Sequence, residues 1–214
     1  MDAVRPAARR GCVMSFISRG FRGRRRTDAD PTRIPPGQYS TSDFPVLSAG
    51  PTQHTPSDRW DFHIVGEVDE PRRWAWEEFQ ALPSEEITVD IHCVTKWSKL
   101  DTVWRGVSID TLLDGVETSA EFVIQYSDGG YTTNLPLEDV TGGKAWVVYE
   151  YNGAPLPPEH GGPARMLVPH LYFWKSAKWV RGLRLQTQDE PGFWETNGYN
   201  NYGDPWREQR YWGD

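Results

Sequence analysis

The chain has 214 residues, a formal net charge of −7 and only two cysteines, Cys12 and Cys93. That length fills one core well and does not comfortably fill two. No apolar run approaches the roughly 18 residues that span a bilayer, and two distant cysteines without a CxxC pattern argue against a disulfide framework or zinc-ribbon and thioredoxin chemistry.

The charge is unevenly spread. Residues 1–26 hold eight Arg and one Asp, so the rest of the chain is strongly acidic. An acidic body is a poor nucleic-acid groove; it favours a basic protein partner. The head contains a twin arginine, Arg9-Arg10, but Arg19 interrupts the short apolar stretch that follows. An export signal needs a longer apolar region and a small-residue cleavage site. The expectation is a disordered basic arm over 1–26, a single domain over 27–214, and a cytoplasmic location.

Residues 27–58 are dense in Pro, Ser, Thr and Asp and read as irregular, with no ladder pairing expected. Tyr39, Phe44, Val46 and Leu47 in that stretch predict that it lies across the domain. The first strand signal is "WDFHIVGEV", where Trp60, Phe62 and Ile64 alternate with polar residues. In "PRRWAWEEFQALP" the spacing of Trp76, Phe79 and Leu82 predicts a short helix closed by Pro83. "EITVDIHCV" alternates again, and the alternation carries Cys93 to the inward face at the strand's exit. "GVSIDTLLDGV" predicts a helix capped by Ser108 and stopped by Gly115. "AEFVIQYS" and "AWVVYEY" read as buried strands, with "LPLEDVTGG" between them as one helical turn. "ARMLVP" and "KWVRGLRLQT" complete the strand set, and the aromatic tail reads as loop. Strands mixed with short helices, without regular crossover helices, predict an α+β fold with mixed sheets. No glycine-rich nucleotide fingerprint is present.

The chemistry-bearing residues fall in two stretches. Cys93 sits where a strand gives way to a loop, with Lys96 and Lys99 close behind. From type and position it is an inert buried hydrophobe, a nucleophile or a soft metal ligand. His92 points to the opposite face of a strand, so a base for a Cys hydrolase would have to be His63, His160 or His170. The second stretch is "NGAPLPPEHGGPARMLVPHLYFWKSAKWVRGLRL". Arg165 enters an apolar strand, where a buried guanidinium needs a carboxylate or phosphate. Ser176 and Lys178 in "WKSAKW" set a hydroxyl, backbone amides and an ammonium near one another, which suits an anion. Lys175 and Lys178 are equally compatible with the surface.

These stretches, with the tail "GFWETNGYNNYGDPW" and the segments "PPGQY" and "FPVLSAGPTQHTP", resemble the molybdopterin-binding domain of the sulfite oxidase family. The likeness covers about residues 33–212 and is nearest to small bacterial members without a dimerisation domain. It implies mixed sheets with short helices around one cofactor cleft, and a molybdenum–molybdopterin cofactor. It implies that Cys93 is the protein's sole molybdenum ligand. His54, Asp128, Thr133, His160, Arg165, Ser176, Ala177 and Lys178 match positions around the pterin and its phosphate. Lys96 becomes a source of positive charge for an anionic substrate. The implied activity is two-electron oxygen-atom transfer on a small oxo donor or acceptor, by a monomer that exchanges electrons with a separate redox protein such as a basic cytochrome. A non-catalytic cofactor carrier and a Cys-dependent hydrolase are the alternatives. The compact arginine-rich pocket of animal and plant sulfite oxidases is not evident, so sulfite is not the expected substrate.

Overall fold

The structure is a computed structural model that describes residues 25–26 and 28–214. The expected basic arm lies almost wholly outside the described residues. Eleven strands form two sheets. In the six-stranded sheet β1 (Tyr39–Ser40), β5 (Trp97–Ser108), β8 (Trp146–Tyr151) and β10 (Arg165–Leu167) lie in that order, β4 (Glu85–His92) also pairs with β5, and β9 (Ala154–Pro155) with β8. The five-stranded sheet runs β3 (Arg72–Ala75), β2 (Asp61–Gly66), β11 (Val180–Gln186), β6 (Phe122–Ser127), β7 (Thr132–Pro136). Pairing is antiparallel except for β1 with β5 and β2 with β11. Three short helices, α1 (Trp76–Gln80), α2 (Ile109–Leu113) and α3 (Phe193–Thr196), complete the α+β mixture expected from the sequence.

The six-stranded sheet is buried on both faces, because successive strand residues point to opposite sides. Val107, Val147 and Met166 join Phe62, Ile64, Leu183 and Leu185 in the core between the sheets. Trp104, Val148 and Leu167 face the other way, into a second core with Ile91, Cys93, Trp97, Tyr172, Phe173 and Trp174. Trp194 and Tyr199 from the tail pack against this second core.

Several local expectations are corrected. Arg72–Ala75, read as the start of a helix, is a strand paired to β2, and the helix begins only at Trp76. Tyr39–Ser40, read as irregular, pairs in parallel with Trp97–Ser98, because the prolines precede it and leave its own amides free to donate. The twelve-residue β5 did not stand out. Its Lys99, Asp101 and Arg105, with Val103 and Ser108, are the less buried positions of a strand whose other residues are buried. The Ser108 cap is present: its hydroxyl accepts from Thr111 N at 3.1 Å.

Candidate functional site

β4 ends at His92, and Cys93 opens the tight turn into β5. Lys96 N donates to Cys93 O (2.9 Å) and Cys93 N donates to Trp97 O (2.9 Å). Lys96 takes a left-handed φ of 75° to close this turn. Its side chain is exposed and makes no ion pair among the described residues. Gln38 Nε2 donates to the Cys93 carbonyl at 3.0 Å, tying the segment before β1 to the turn. The Cys93 side chain is buried, 8% exposed, beside Ile91, Trp97 and Tyr172. Its sulfur accepts from Thr95 Oγ1 at 3.2 Å. Burial pushes the thiol pKa up, and the Thr95 hydroxyl and the Lys178 ammonium act against that shift.

The second half of the site is built by the turn after Leu156 and the turn before β11. Pro158–His160 form one 3-10 turn that Gly161 ends at φ 109°. A Cβ at Gly161 would lie 3.0 Å from Lys178 Cβ and 3.1 Å from Arg165 Cβ, so glycine is what lets these elements approach. Arg165, 1% exposed, spends its donors on three carbonyls: His160 O (2.8 Å), Ser176 O (2.7 Å) and Met166 O (3.2 Å). Its guanidinium lies 4.0 Å over the Phe173 ring. It forms no ion pair among the described residues, and burial lowers its pKa to about 9. Lys178 Nζ donates to Glu159 O (2.6 Å) and Ser48 Oγ (3.2 Å). Burial and the neighbouring Arg165 bring its pKa down to about 7. His160 is held neutral, near 4, by burial and then by the charges of Arg165 and Lys178. Three basic side chains thus crowd one region without a carboxylate among them to balance Arg165, so an anion there is favoured on electrostatic grounds.

The structure brings together Cys93, His160, Arg165 and Lys178. It ties in Asp128 by a different route than a pocket wall. Asp128 accepts from Thr55 Oγ1 (2.5 Å), sits 3.6 Å from Arg181, and its N–H donates to Trp179 O (3.0 Å). It therefore fixes the loop that carries the exposed His54 against the turn following Lys178. Ser176 and Ala177 are present in that turn, yet their backbone amides are already engaged and the Ser176 hydroxyl serves as an acceptor. The Ser176 hydroxyl accepts from Val168 N (2.9 Å), Ser176 N donates to Phe173 O (3.2 Å), and Ala177 N donates to Gln125 Oε1 (3.0 Å). Of the anticipated anion-binding groups in "WKSAKW", the ammonium of Lys178 is the one whose charge acts on Cys93. Thr133 is not brought to the cluster. It is fully buried on β7 and donates to Glu195 Oε1 at 2.8 Å.

Lys175 is not on the surface. It is 0% exposed, 2.6 Å from Glu195, with Asn134 O, Asn134 Oδ1 and Asn201 O as further acceptors. This buried pair and Gln125, which donates to Lys175 O at 2.7 Å, lock the turn bearing Ser176, Ala177 and Lys178 from behind. The remaining buried or half-buried histidines lie beside other groups. His92 Nδ1 meets Ser98 Oγ at 2.8 Å, His63 Nε2 lies 3.1 Å from Asp61 and His170 Nε2 lies 3.5 Å from Asp139. None is in place to serve Cys93 as a base.

Four polar atoms around Cys93 are buried without a hydrogen-bond partner in the protein: Gln38 Oε1, Trp97 Nε1, His160 Nδ1 and Tyr172 OH. Buried polar groups are almost always paired, so such atoms call for a ligand or water. No group of three His, Cys, Asp or Glu able to hold a metal exists among the described residues. A metal at Cys93 must therefore bring most of its own ligands. A single buried thiol, a buried guanidinium without an ion pair and orphaned polar atoms fit a metal carried by a polar, phosphorylated organic cofactor.

Comparison with known proteins agrees with that fit. Residues 49–194 match the oxidoreductase molybdopterin binding domain. The chain belongs to the molybdopterin-binding oxidoreductase family. This family's cofactor is molybdenum–molybdopterin, and the chain is an oxidoreductase of the sulfite-oxidase-like kind. It is 45% identical over 195 residues to the uncharacterized oxidoreductase YuiH of Bacillus subtilis, covering 90% of this chain and 98% of that one. It is 29% identical to the protein-methionine-sulfoxide reductase catalytic subunit MsrP of Pseudomonas syringae, with 74% of this chain aligned; the chain spans only 52% of that relative's length. The fold is shared with the sulfane dehydrogenase SoxCD of Paracoccus pantotrophus, at a TM-score of 0.58 and 21% identity over 64% of this chain and 40% of that one.

Proposed function

We propose that the protein performs two-electron oxygen-atom transfer on a small substrate, with Cys93 as the one protein ligand to molybdenum. The observation that carries this reading is the juxtaposition of a single buried thiol with the Lys178 ammonium and a buried Arg165 that lacks a carboxylate partner. The cofactor, when bound, supplies the redox-active metal and the oxygen-transfer chemistry. The chain's residues bind and orient it. Cys93 loses its proton on ligation, which burial opposes and the nearby Lys178 and Arg165 charges favour. Arg165 and Lys178 offer positive charge to a phosphate, and His160 presents an unpartnered ring nitrogen. The second core around Trp97, Trp104 and Phe173 encloses the Cys93 side chain in largely apolar surroundings. Lys96, exposed at the turn, is the cation nearest in sequence for an approaching anionic substrate. No helix of the described residues is long and apolar enough to cross a membrane. Electrons pass to or from a separate redox protein, and the chain's acidity suits a basic one. Relatives named for methionine-sulfoxide reduction and sulfane dehydrogenation make sulfur-centred substrates the first to screen.

The test is molybdenum and pterin content of protein made in a cofactor-producing host, for wild type and Cys93→Ser. Wild type should hold close to one of each per chain. Cys93→Ser should keep most of its pterin and lose molybdenum. Wild type free of molybdenum, or Cys93→Ser with full metal, refutes the reading. Full loading with no oxo transfer to or from any sulfoxide, N-oxide or sulfur oxyanion would instead favour the carrier role.

A further inference from the structure

Residues 41–48 run without regular structure across the site and are pinned at both ends. Thr41 N donates to Ser98 O (2.9 Å) and Lys99 Nζ donates to Ser42 O (2.5 Å) on the β5 side. At the far end Ser48 Oγ accepts from Lys178 Nζ (3.2 Å). Phe44 hangs from the middle of this strap. Its ring stacks on the His160 imidazole, with centroids 3.9 Å apart and planes 5° from parallel. Tyr151 (5.1 Å), Trp104 (6.0 Å), Phe173 (6.1 Å) and Trp97 (6.3 Å) surround it, so the ring itself is held in place.

His160 is therefore gripped twice. Arg165 Nη1 holds its backbone carbonyl at 2.8 Å, and Phe44 holds its ring. Without the stack the half-buried imidazole could turn about its side-chain bonds, because Nδ1 has no protein partner to fix it. We infer that Phe44 is a positioning residue, whose ring sets the plane of the His160 imidazole and aims its unpaired nitrogen at the bound cofactor. The inference rests on the cofactor reading above. It also gives the strap a job that a simple hydrophobic plug would not have. A plug needs volume, which leucine supplies. A parallel stack needs an aromatic face, which leucine lacks, and such contacts are worth on the order of threefold to tenfold in an equilibrium.

Three variants separate the two roles: Phe44→Tyr, Phe44→Leu and Phe44→Ala. The first measurement is the rate of pterin release from diluted holoprotein, followed by pterin fluorescence. Phe44→Leu and Phe44→Ala should release pterin about threefold to tenfold faster, and Phe44→Tyr should stay within about twofold of wild type. The second is the NMR spectrum of the His160 ring in full-length, cofactor-free protein. Wild type and Phe44→Tyr should show one ring-current-shifted set of resonances with contacts to residue 44, and Phe44→Leu should show an averaged, unshifted set. Unfolding midpoints of the same samples identify any variant that fails to fold, and the Tyr–Leu comparison then decides. Release from Phe44→Leu at the wild-type rate overturns the inference. So does an unshifted wild-type imidazole. Wild type that never acquires pterin fails the cofactor reading itself, and the NMR measurement then still shows separately whether the stack exists.

Discussion

Replacing Glu195 by Leu probes the lock behind the site. Glu195 Oε1 accepts from three donors: Lys175 Nζ (2.6 Å), Thr133 Oγ1 (2.8 Å) and Trp174 Nε1 (2.9 Å). Lys175 is 0% and Glu195 1% exposed. Losing the carboxylate leaves an ammonium buried among the neutral oxygens of Asn134 and Asn201, which costs about 3–5 kcal/mol. The abandoned indole and hydroxyl donors add about 1 kcal/mol each at most, because they can partly re-pair. A total near 5 kcal/mol (about 3–7) is a large share of the roughly 5–15 kcal/mol that stabilises a domain. For this size it corresponds to a drop of about 10–20 °C in Tm. The assay is urea unfolding of cofactor-free protein followed by tryptophan fluorescence, so that ligand binding does not contribute. The double variant Lys175→Met, Glu195→Leu removes the stranded charge and should recover at least about 2 kcal/mol relative to the sum of the singles. A cost below about 1 kcal/mol for Glu195→Leu, or strict additivity in the double, would refute the argument. Because Gln125 bridges Lys175 O and Ala177 N, pterin content should fall together with stability in the single variant.

Arg165→Met removes three carbonyl contacts and also an unbalanced buried charge. These effects oppose one another in cofactor-free protein, and an unfolding midpoint should move little. In the same variant pterin per chain should fall about tenfold or more, the worth of a hydrogen bond to a charged group. Gly161→Ala forces a left-handed φ and a Cβ into Lys178 and Arg165, and should cost about 1–3 kcal/mol in urea unfolding. Gly130→Ala, with a similar sign of φ and open space around it, should cost less. The folded-state pKa of His160 near 4 lies below the ordinary value of 6.5, so the unfolded chain takes up a proton there first as pH falls. Stability should decline from about pH 6.5 towards pH 4, and His160→Gln should flatten that decline in midpoints measured at pH 7, 6 and 5.

Much of this architecture was legible where the period-two code was clean. β4, β6, β8 and β11 alternate or run apolar, and Cys93 emerges at the end of β4 on the buried side. β5 was harder because it is covered on both faces, and its charged residues fall at the less buried positions. Arg72–Ala75 has too few apolar residues to mark a strand, and its partner β2 supplies the pairing. In the site, Arg165 and Lys178 were legible as cations in apolar surroundings. The committed hydroxyl of Ser176 was not, because the amide it satisfies, Val168 N, comes from another element. Gln38, Phe44 and Tyr172 lie in stretches that carry the family resemblance, but nothing in their residue types marks a site, and only the folded chain puts them beside His160 and Cys93. The Lys175–Glu195 pair spans twenty residues of sequence, so neither residue could announce the other.

The pairing of β2 with β11 has a bearing on biosynthesis. β2 is made well before its parallel neighbour β11, with β3 to β10 coming between them in the chain. The thiol of Cys93 likewise appears long before the ammonium of Lys178. Non-local pairings of this kind form late and slowly. The two halves of the candidate site therefore come together only after β11 has been made.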